Sequence, residues 1–151
     1  MNILRRTVLS GLKLIASISL VVLQGCALFV SHYDAGAYQN FTNLKAFHVK
    51  FLEDNKVADG NVYEDAKVRA ACDSGELKFR EAHEYAVGKK DNTRVNAITY
   101  LHNVFTRNCK LALDGRKLLN AVYADQQAGE VKPNYDLAID GESARVNAPT
   151  K

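Results

Sequence analysis

The side chains able to do chemistry are few and dispersed. His48, His83 and His102 fall on three different predicted helices, and Glu84 stands beside His83. Two imidazoles and a carboxylate form a ligand set for a divalent metal. His83 and His102 would come within about one helical turn of each other if their helices formed a hairpin. No His-Glu-x-x-His run accompanies them, and no two histidines stand four apart on one helix. Cys72 and Cys109 lack the Cys-x-x-Cys spacing of a zinc site. No metal ligand is assigned, and a histidine on an apolar helix face is expected to be a core residue that finds a hydrogen bond.

Acid–base chemistry has no better footing. Glu76, Arg80, Glu81 and Glu84 lie three to five apart with Lys78 between them, the mark of a solvated helix face laced by weak ion pairs. There is no Gly-x-Ser-x-Gly elbow and no glycine loop to cradle phosphate. No catalytic residue and no cofactor is therefore expected, and the chain reads as a non-enzyme. Two stretches could instead bind. Tyr33 to His48 crowds amides and aromatics into one amphipathic segment, with Tyr38, Asn40, Asn43, Phe47 and His48 as candidate contacts. Its plainer reading puts Phe41, Leu44, Phe47 and Phe51 in a core and turns Asn40 and Asn43 to water. Arg94, Tyr100 and Arg107, with Asn96, Asn103 and Asn108, form a hydrogen-bond-rich helix side suited to a peptide or glycan.

Three helices account for these positions. The first is expected over 34–55, with Ala37, Phe41, Leu44, His48 and Phe51 at four-three-four-three spacing. Ser31 and Asp34 could start it, and Asp59-Gly60 marks the turn after it. Asn61 and Glu64 stand like a capping box before the second helix. Its stripe is Val68, Cys72, Gly75, Phe79, Ala82 and Ala86, with Asp73-Ser74-Gly75 a weak point that leaves open whether the helix is broken there. Gly88 to Asn92 reads as a tight reversal in which the glycine takes the left-handed cap. The third helix is expected over 93–127, with Ile98, Leu101, Phe105, Cys109, Ala112, Leu119 and Val122 inward. It would be roughly 50 Å long unless Asp114-Gly115 interrupts it. Beyond Gly129, Tyr135, Leu137 and Ile139 alternate as an extended strap, and 142–151 is polar and expected to be mobile.

The 151 residues suit one domain, and 47% hydrophobic content excludes a disordered chain. Arg5, Arg6 and Lys13 with no acid in residues 1–25 account for the whole net charge of +3. Residues 26–151 are balanced, so no nucleic-acid partner is expected. Leu14 to Leu23 is an apolar run, short of the roughly 20 residues that span a bilayer, and matches the core of an export signal. Leu23-Gln24-Gly25-Cys26 then resembles the lipobox of bacterial lipoproteins. That resemblance implies that Cys26 becomes the mature N-terminus, carrying a diacylglyceryl thioether and an N-acyl chain. Two or more chains hold a protein on a membrane durably. Ala27 in place of an aspartate implies the outer membrane of a two-membrane cell. Arg5-Arg6-Thr7-Val8-Leu9 resembles a twin-arginine signal as well, which leaves the export route open.

With Cys26 acylated and the chain exported, Cys72 and Cys109 are expected to pair with each other. In an antiparallel hairpin around residues 88–92, positions whose numbers sum to about 181 lie level, and this pair meets that condition. The expected fold is all-α: an antiparallel three-helix bundle with one disulfide and a partly extended C-terminal tail. Its parts are a signal over 1–25, a lipid-anchored tether over 26–33, a helical domain over 34–129 and the tail over 130–151. The expected role is binding or scaffolding another envelope component, protein or glycan, from a membrane-held position. An inhibitor or phage-exclusion lipoprotein is the alternative, and would present a disulfide-locked surface loop. A metal-dependent hydrolase is the third reading.

Overall fold

The structure, a computed structural model, describes residues 32–57, 63–114 and 119–147. The leader, Cys26, nearly all of the tether, Asp59-Gly60, Asn61, Gly115 and the last residues of the tail lie outside the described residues. Among those described, four helices succeed one another: α1 (Ala35–Asn55), α2 (Asp65–Gly88), α3 (Asn92–Asp114) and α4 (Ala121–Ala144), with a 3-10 turn over Arg145–Asn147.

Helix α1 starts where its capping residue dictates. Asp34 has extended backbone, and its Oδ1 accepts from the Gly36 and Ala37 amides at 2.9 and 3.2 Å. Ala37, Phe41, Leu44, His48, Phe51 and Leu52 are buried along one stripe. Helix α2 buries Val68, Cys72, Gly75, Phe79, Ala82 and Ala86, the whole expected stripe. It runs unbroken through Asp73-Ser74-Gly75, the weak point left open by the sequence. The reason is packing: Gly75 lies against the Phe105 ring and within 2.8 Å, measured from where a Cβ would sit, of the Phe47 ring. The absence of a side chain lets two aromatics reach the α2 backbone, and their burial outweighs the roughly 1 kcal/mol that glycine costs a helix interior.

The reversal after α2 is a Schellman closure. The Asp91 amide donates to Ala86 O at 3.2 Å and the Lys90 amide to Val87 O at 2.9 Å. Lys90, with φ 55°, occupies the left-handed position, not Gly88 as the composition suggested. Asp91 then caps α3, its Oδ1 accepting from the Arg94 amide at 3.1 Å. Helices α2 and α3 are stapled by the Cys72–Cys109 disulfide, with Cα atoms 5.8 Å apart. A closed loop of this size restricts the unfolded chain by roughly 3–4 kcal/mol.

The expected third helix and tail are replaced by two helices. α3 stops at Asp114, and Asn120 opens a new helix by accepting the Tyr123 amide on its Oδ1 at 2.9 Å. Leu119 is buried in the connection, while Val122, expected inward, is 79% exposed. α4 continues through Pro133 and over the residues expected to form a strap. Ala124, Ala128, Val131, Tyr135 and Glu142 face inward at four-three-four-seven spacing, whereas Leu137 is 75% exposed.

Contacts set the topology. Lys45 pairs with Asp136, His48 with Tyr135 and Lys56 with Asp125, so α4 runs antiparallel to α1. Gly36 meets Tyr85 and Phe47 meets Gly75, so α2 is antiparallel to α1 as well. His48 meets Asn108 and Phe47 meets Phe105, which makes α1 and α3 parallel across a diagonal. No Cα atoms of α2 and α4 come within 8 Å of each other among the described residues. The result is an up-down-up-down four-helix bundle.

Candidate functional site

The most sparsely packed neighbours in the bundle are α3 and α4. Between them lies a half-open groove of about 410 Å³. Its walls are built on small side chains, Ala97 from α3 and Ala138 and Gly141 from α4, and Phe41 of α1 forms part of its floor. Nothing lies within 4 Å of where a Gly141 Cβ would be, so the missing side chain leaves space here. Tyr100 and Leu137, 55% and 75% exposed, flank the mouth. The lining is mostly apolar, with most of its polar groups where the groove nears the end of α4 and Asn134 two turns back along that helix.

That end is closed by a buried ion network. Arg94 and Glu142 are 4% and 2% exposed and meet in a two-pronged pair, Nε to Oε1 and Nη2 to Oε2, both at 2.7 Å. Arg94 Nη2 also donates to the His32 carbonyl at 2.9 Å, and Nη1 lies 3.0 Å from Asp91 Oδ2. Arg145 Nη1 lies 2.8 Å from the same Asp91 oxygen and 3.4 Å from Glu142 Oε1. Two guanidinium groups and two carboxylates thus pair within one cluster. The Glu142 hydrogen bonds raise the Arg94 pKa further above its usual range. Buried charges persist only when paired in this way.

Of the residues singled out from the sequence, Arg94 and Tyr100 both line the groove. Arg107 is exposed two turns further along α3, outside it. Of the α1 candidates, His48 is buried, Tyr38, Asn40 and Phe47 are half-buried and Asn43 is exposed. Tyr38 is half-buried against Tyr33, with ring centroids 6.4 Å apart, and Asn43 is exposed and accepts from Gln39 at 2.8 Å. Asn40 is half-buried. Phe47 packs on Phe105 at 5.8 Å between centroids, with the Lys78 ammonium 5.6 Å from its own.

His48 is wholly buried at the centre of the bundle. Its Nδ1 lies 3.2 Å from the Tyr135 hydroxyl and its Nε2 3.0 Å from Asn108 Nδ2. A neutral imidazole offers one donor and one acceptor, and the Tyr135 hydroxyl and the Asn108 amide face its two nitrogens. Burial pushes the imidazole pKa down to about 4 and the Tyr135 hydroxyl far up, so both are neutral at ordinary pH. The remaining histidines are placed apart from this trio. His102 Nε2 lies 2.6 Å from Glu76 Oε2 and stacks on Phe79, and His83 Nδ1 is 4.0 Å from Glu84. Among the described residues, no group of three His, Cys, Asp or Glu side chains is placed to hold a metal ion.

Leu137, Ala138, Gly141, Glu142 and Arg145 were missed because α4 was not read as a helix. Their signal was present in the helical spacing of Ala124, Ala128, Val131 and Tyr135, which the alternation of Tyr135, Leu137 and Ile139 concealed. No protein-family model matches the chain, and no curated protein or solved structure shows significant similarity to it.

Proposed function

We propose that the chain is a non-enzymatic lipoprotein of the bacterial cell envelope, held through an acylated Cys26 and binding another envelope component in the α3–α4 groove. The groove carries this reading: a concave apolar surface of drug-ligand size, with a few polar groups convergent at one end, is the usual form of a binding site. The Leu23–Cys26 lipobox and Ala27 support the anchor and an outer-membrane location. The buried, interhelical setting of Cys72 and Cys109 lends no support to an inhibitor that presents a disulfide-locked loop.

Photo-crosslinking in intact cells tests the reading. A photoreactive residue at Tyr100 is expected to give an adduct of defined mass, and one at Leu77, exposed on α2, is expected to give none. Equal labelling at both positions, or no adduct at Tyr100, refutes groove binding. The anchor is read separately. Cys26→Ser is expected to abolish the acyl mass on the N-terminal peptide, and a wild-type chain lacking that mass refutes it.

A further inference from the structure

We propose that one pole of the bundle, the one from which the chain runs back toward Cys26, seats directly on the lipid surface. Tyr33, Val87 and Val146 enter the boundary between headgroups and acyl chains, and Lys90 lies among anionic headgroups. This rests on the acylated Cys26 and is independent of what the α3–α4 groove binds. Six residue steps separate Cys26 from His32, and fully extended they span at most about 22 Å. His32 stands beside the α2–α3 reversal and the end of α4, since its carbonyl accepts from Arg94, which also pairs with Asp91 and Glu142. A lipid-held Cys26 therefore keeps this pole near the bilayer. The other pole, where the Val57 amide meets the Leu119 carbonyl, lies a helix length of roughly 35 Å along the bundle. A connection that short gives an effective concentration in the millimolar range, so individually weak contacts suffice.

The side chains at this pole suit that neighbour. Among the described residues, seven large hydrophobic side chains are exposed, and three of them sit here: Tyr33 before α1, Val87 in the last turn of α2 and Val146 after α4. Val122 alone of the seven belongs to the opposite pole. A bilayer interface accepts such side chains, with the tyrosine hydroxyl left at headgroup level. Lys89 and Lys90 are exposed at the tip of the reversal. Lys89 is held 3.1 Å from Asp34, whereas Lys90 has no ion-pair partner among the described residues. A lysine beside an anionic lipid surface strengthens the contact about fivefold. Local placement carries the attraction, because residues 26–151 are balanced in charge.

The test reconstitutes the full acylated chain in vesicles of phosphatidylethanolamine and phosphatidylglycerol. The chain contains no tryptophan, so Val87→Trp or Val146→Trp places a single fluorescent reporter at the pole. Leu77→Trp and Val122→Trp place references midway along α2 and at the far pole. Lipids brominated on their acyl chains are expected to quench the two pole reporters about twofold or more, since interfacial side chains sit roughly 5–10 Å into the boundary. The two references are expected to keep their emission. Lys90→Gln in the Val87→Trp chain is expected to lower the ratio of quenched to unquenched emission about fivefold, with a smaller difference in high salt. Retained helical circular dichroism shows which variants have kept their fold. The proposal is overturned if folded pole reporters emit as the references do, if all four are quenched alike, or if Lys90→Gln changes nothing. Mass spectrometry of the N-terminal peptide separates the pole from the anchor. If the acyl mass is present and the pole reporters are unquenched, the seating is wrong and the anchor stands. If the wild-type chain lacks the acyl mass, both are wrong.

Discussion

His48 shows how burial turns a chemically versatile side chain into a fixed one. Enclosed by Phe105, Tyr135 and Asn108, it stays neutral, with its pKa pushed down to about 4 from the usual 6.5. The unfolded chain binds a proton below about 6.5 that the folded chain refuses until about pH 4. Stability is therefore full above pH 6.5 and falls as pH drops through that window, by up to ~1.4 kcal/mol per pH unit. Urea midpoints at pH 7 and pH 5 are expected to differ in wild type, and the part due to this residue should vanish in His48→Gln. Asp34 acts lower, below its usual 3.8, because Tyr85 and Lys89 hold its carboxylate ionised, so the two effects separate on the pH axis. Glycines carry a second residue-scale contrast. Gly75→Ala would drive a methyl into Phe105 and Phe47, and is expected to cost about 1–3 kcal/mol. Gly129→Ala meets nothing within 4 Å and is expected to stabilise by about 0.5–1 kcal/mol. Thermal melts of the two variants should move in opposite directions. The stripe that buries His48 was plain in the sequence. Its partners were not, because Asn108 and Tyr135 lie on elements whose faces the pattern left unresolved.

Among the elements, α1 and α2 were legible almost to the residue, since each repeats one apolar stripe over about four or five turns, and α1 begins at its capping acid, Asp34. α4 was not. Gly129, Pro133 and Asp140-Gly141 all argue locally for turns, and a proline inside a helix forgoes a backbone hydrogen bond. Tertiary burial of Ala124, Ala128, Val131 and Tyr135 against the rest of the bundle overrides those preferences. A local signal was likewise misplaced at the α2–α3 reversal. Glycine was expected in the left-handed position, and Lys90 holds it at φ 55°. A side chain there costs about 1–2 kcal/mol, and Lys90 is exposed. Lys90→Gly is expected to raise stability by about 1 kcal/mol after the extra unfolded-state freedom of glycine is subtracted. Chemical denaturation reads this directly, and a loss of stability would mean the Lys90 side chain makes a contact worth more than the backbone strain.

For the molecule as a whole, the Arg94 guanidinium joins four segments: the approach to α1 at His32, the α2–α3 reversal at Asp91, its own helix α3, and the end of α4 at Glu142. Sequence placed Arg94 on a polar helix side but could not show it buried, because its carboxylate partner stands 48 positions away on a helix that was read as tail. Arg94→Met leaves Glu142 to the longer Arg145 contact at 3.4 Å and is expected to cost about 3–5 kcal/mol. Arg94→Met with Glu142→Leu removes both charges and is expected to recover most of that loss, measured by equilibrium unfolding of the two variants and wild type. If the double variant is no better than the single one, the pair contributes by its own attraction and not by avoiding an orphaned charge.

The same arrangement has a mechanical consequence. His32 and Glu142 are joined through Arg94 at one pole of the bundle, so tension applied between residues 32 and 145 peels α1 and α4 apart like a zipper instead of shearing them lengthwise. Arg94 is the clasp at the head of that zipper. In a single-molecule pull the first rupture belongs to the clasp, and the helix pair then opens turn by turn toward the opposite pole, where the Val57 amide holds the Leu119 carbonyl at 2.7 Å.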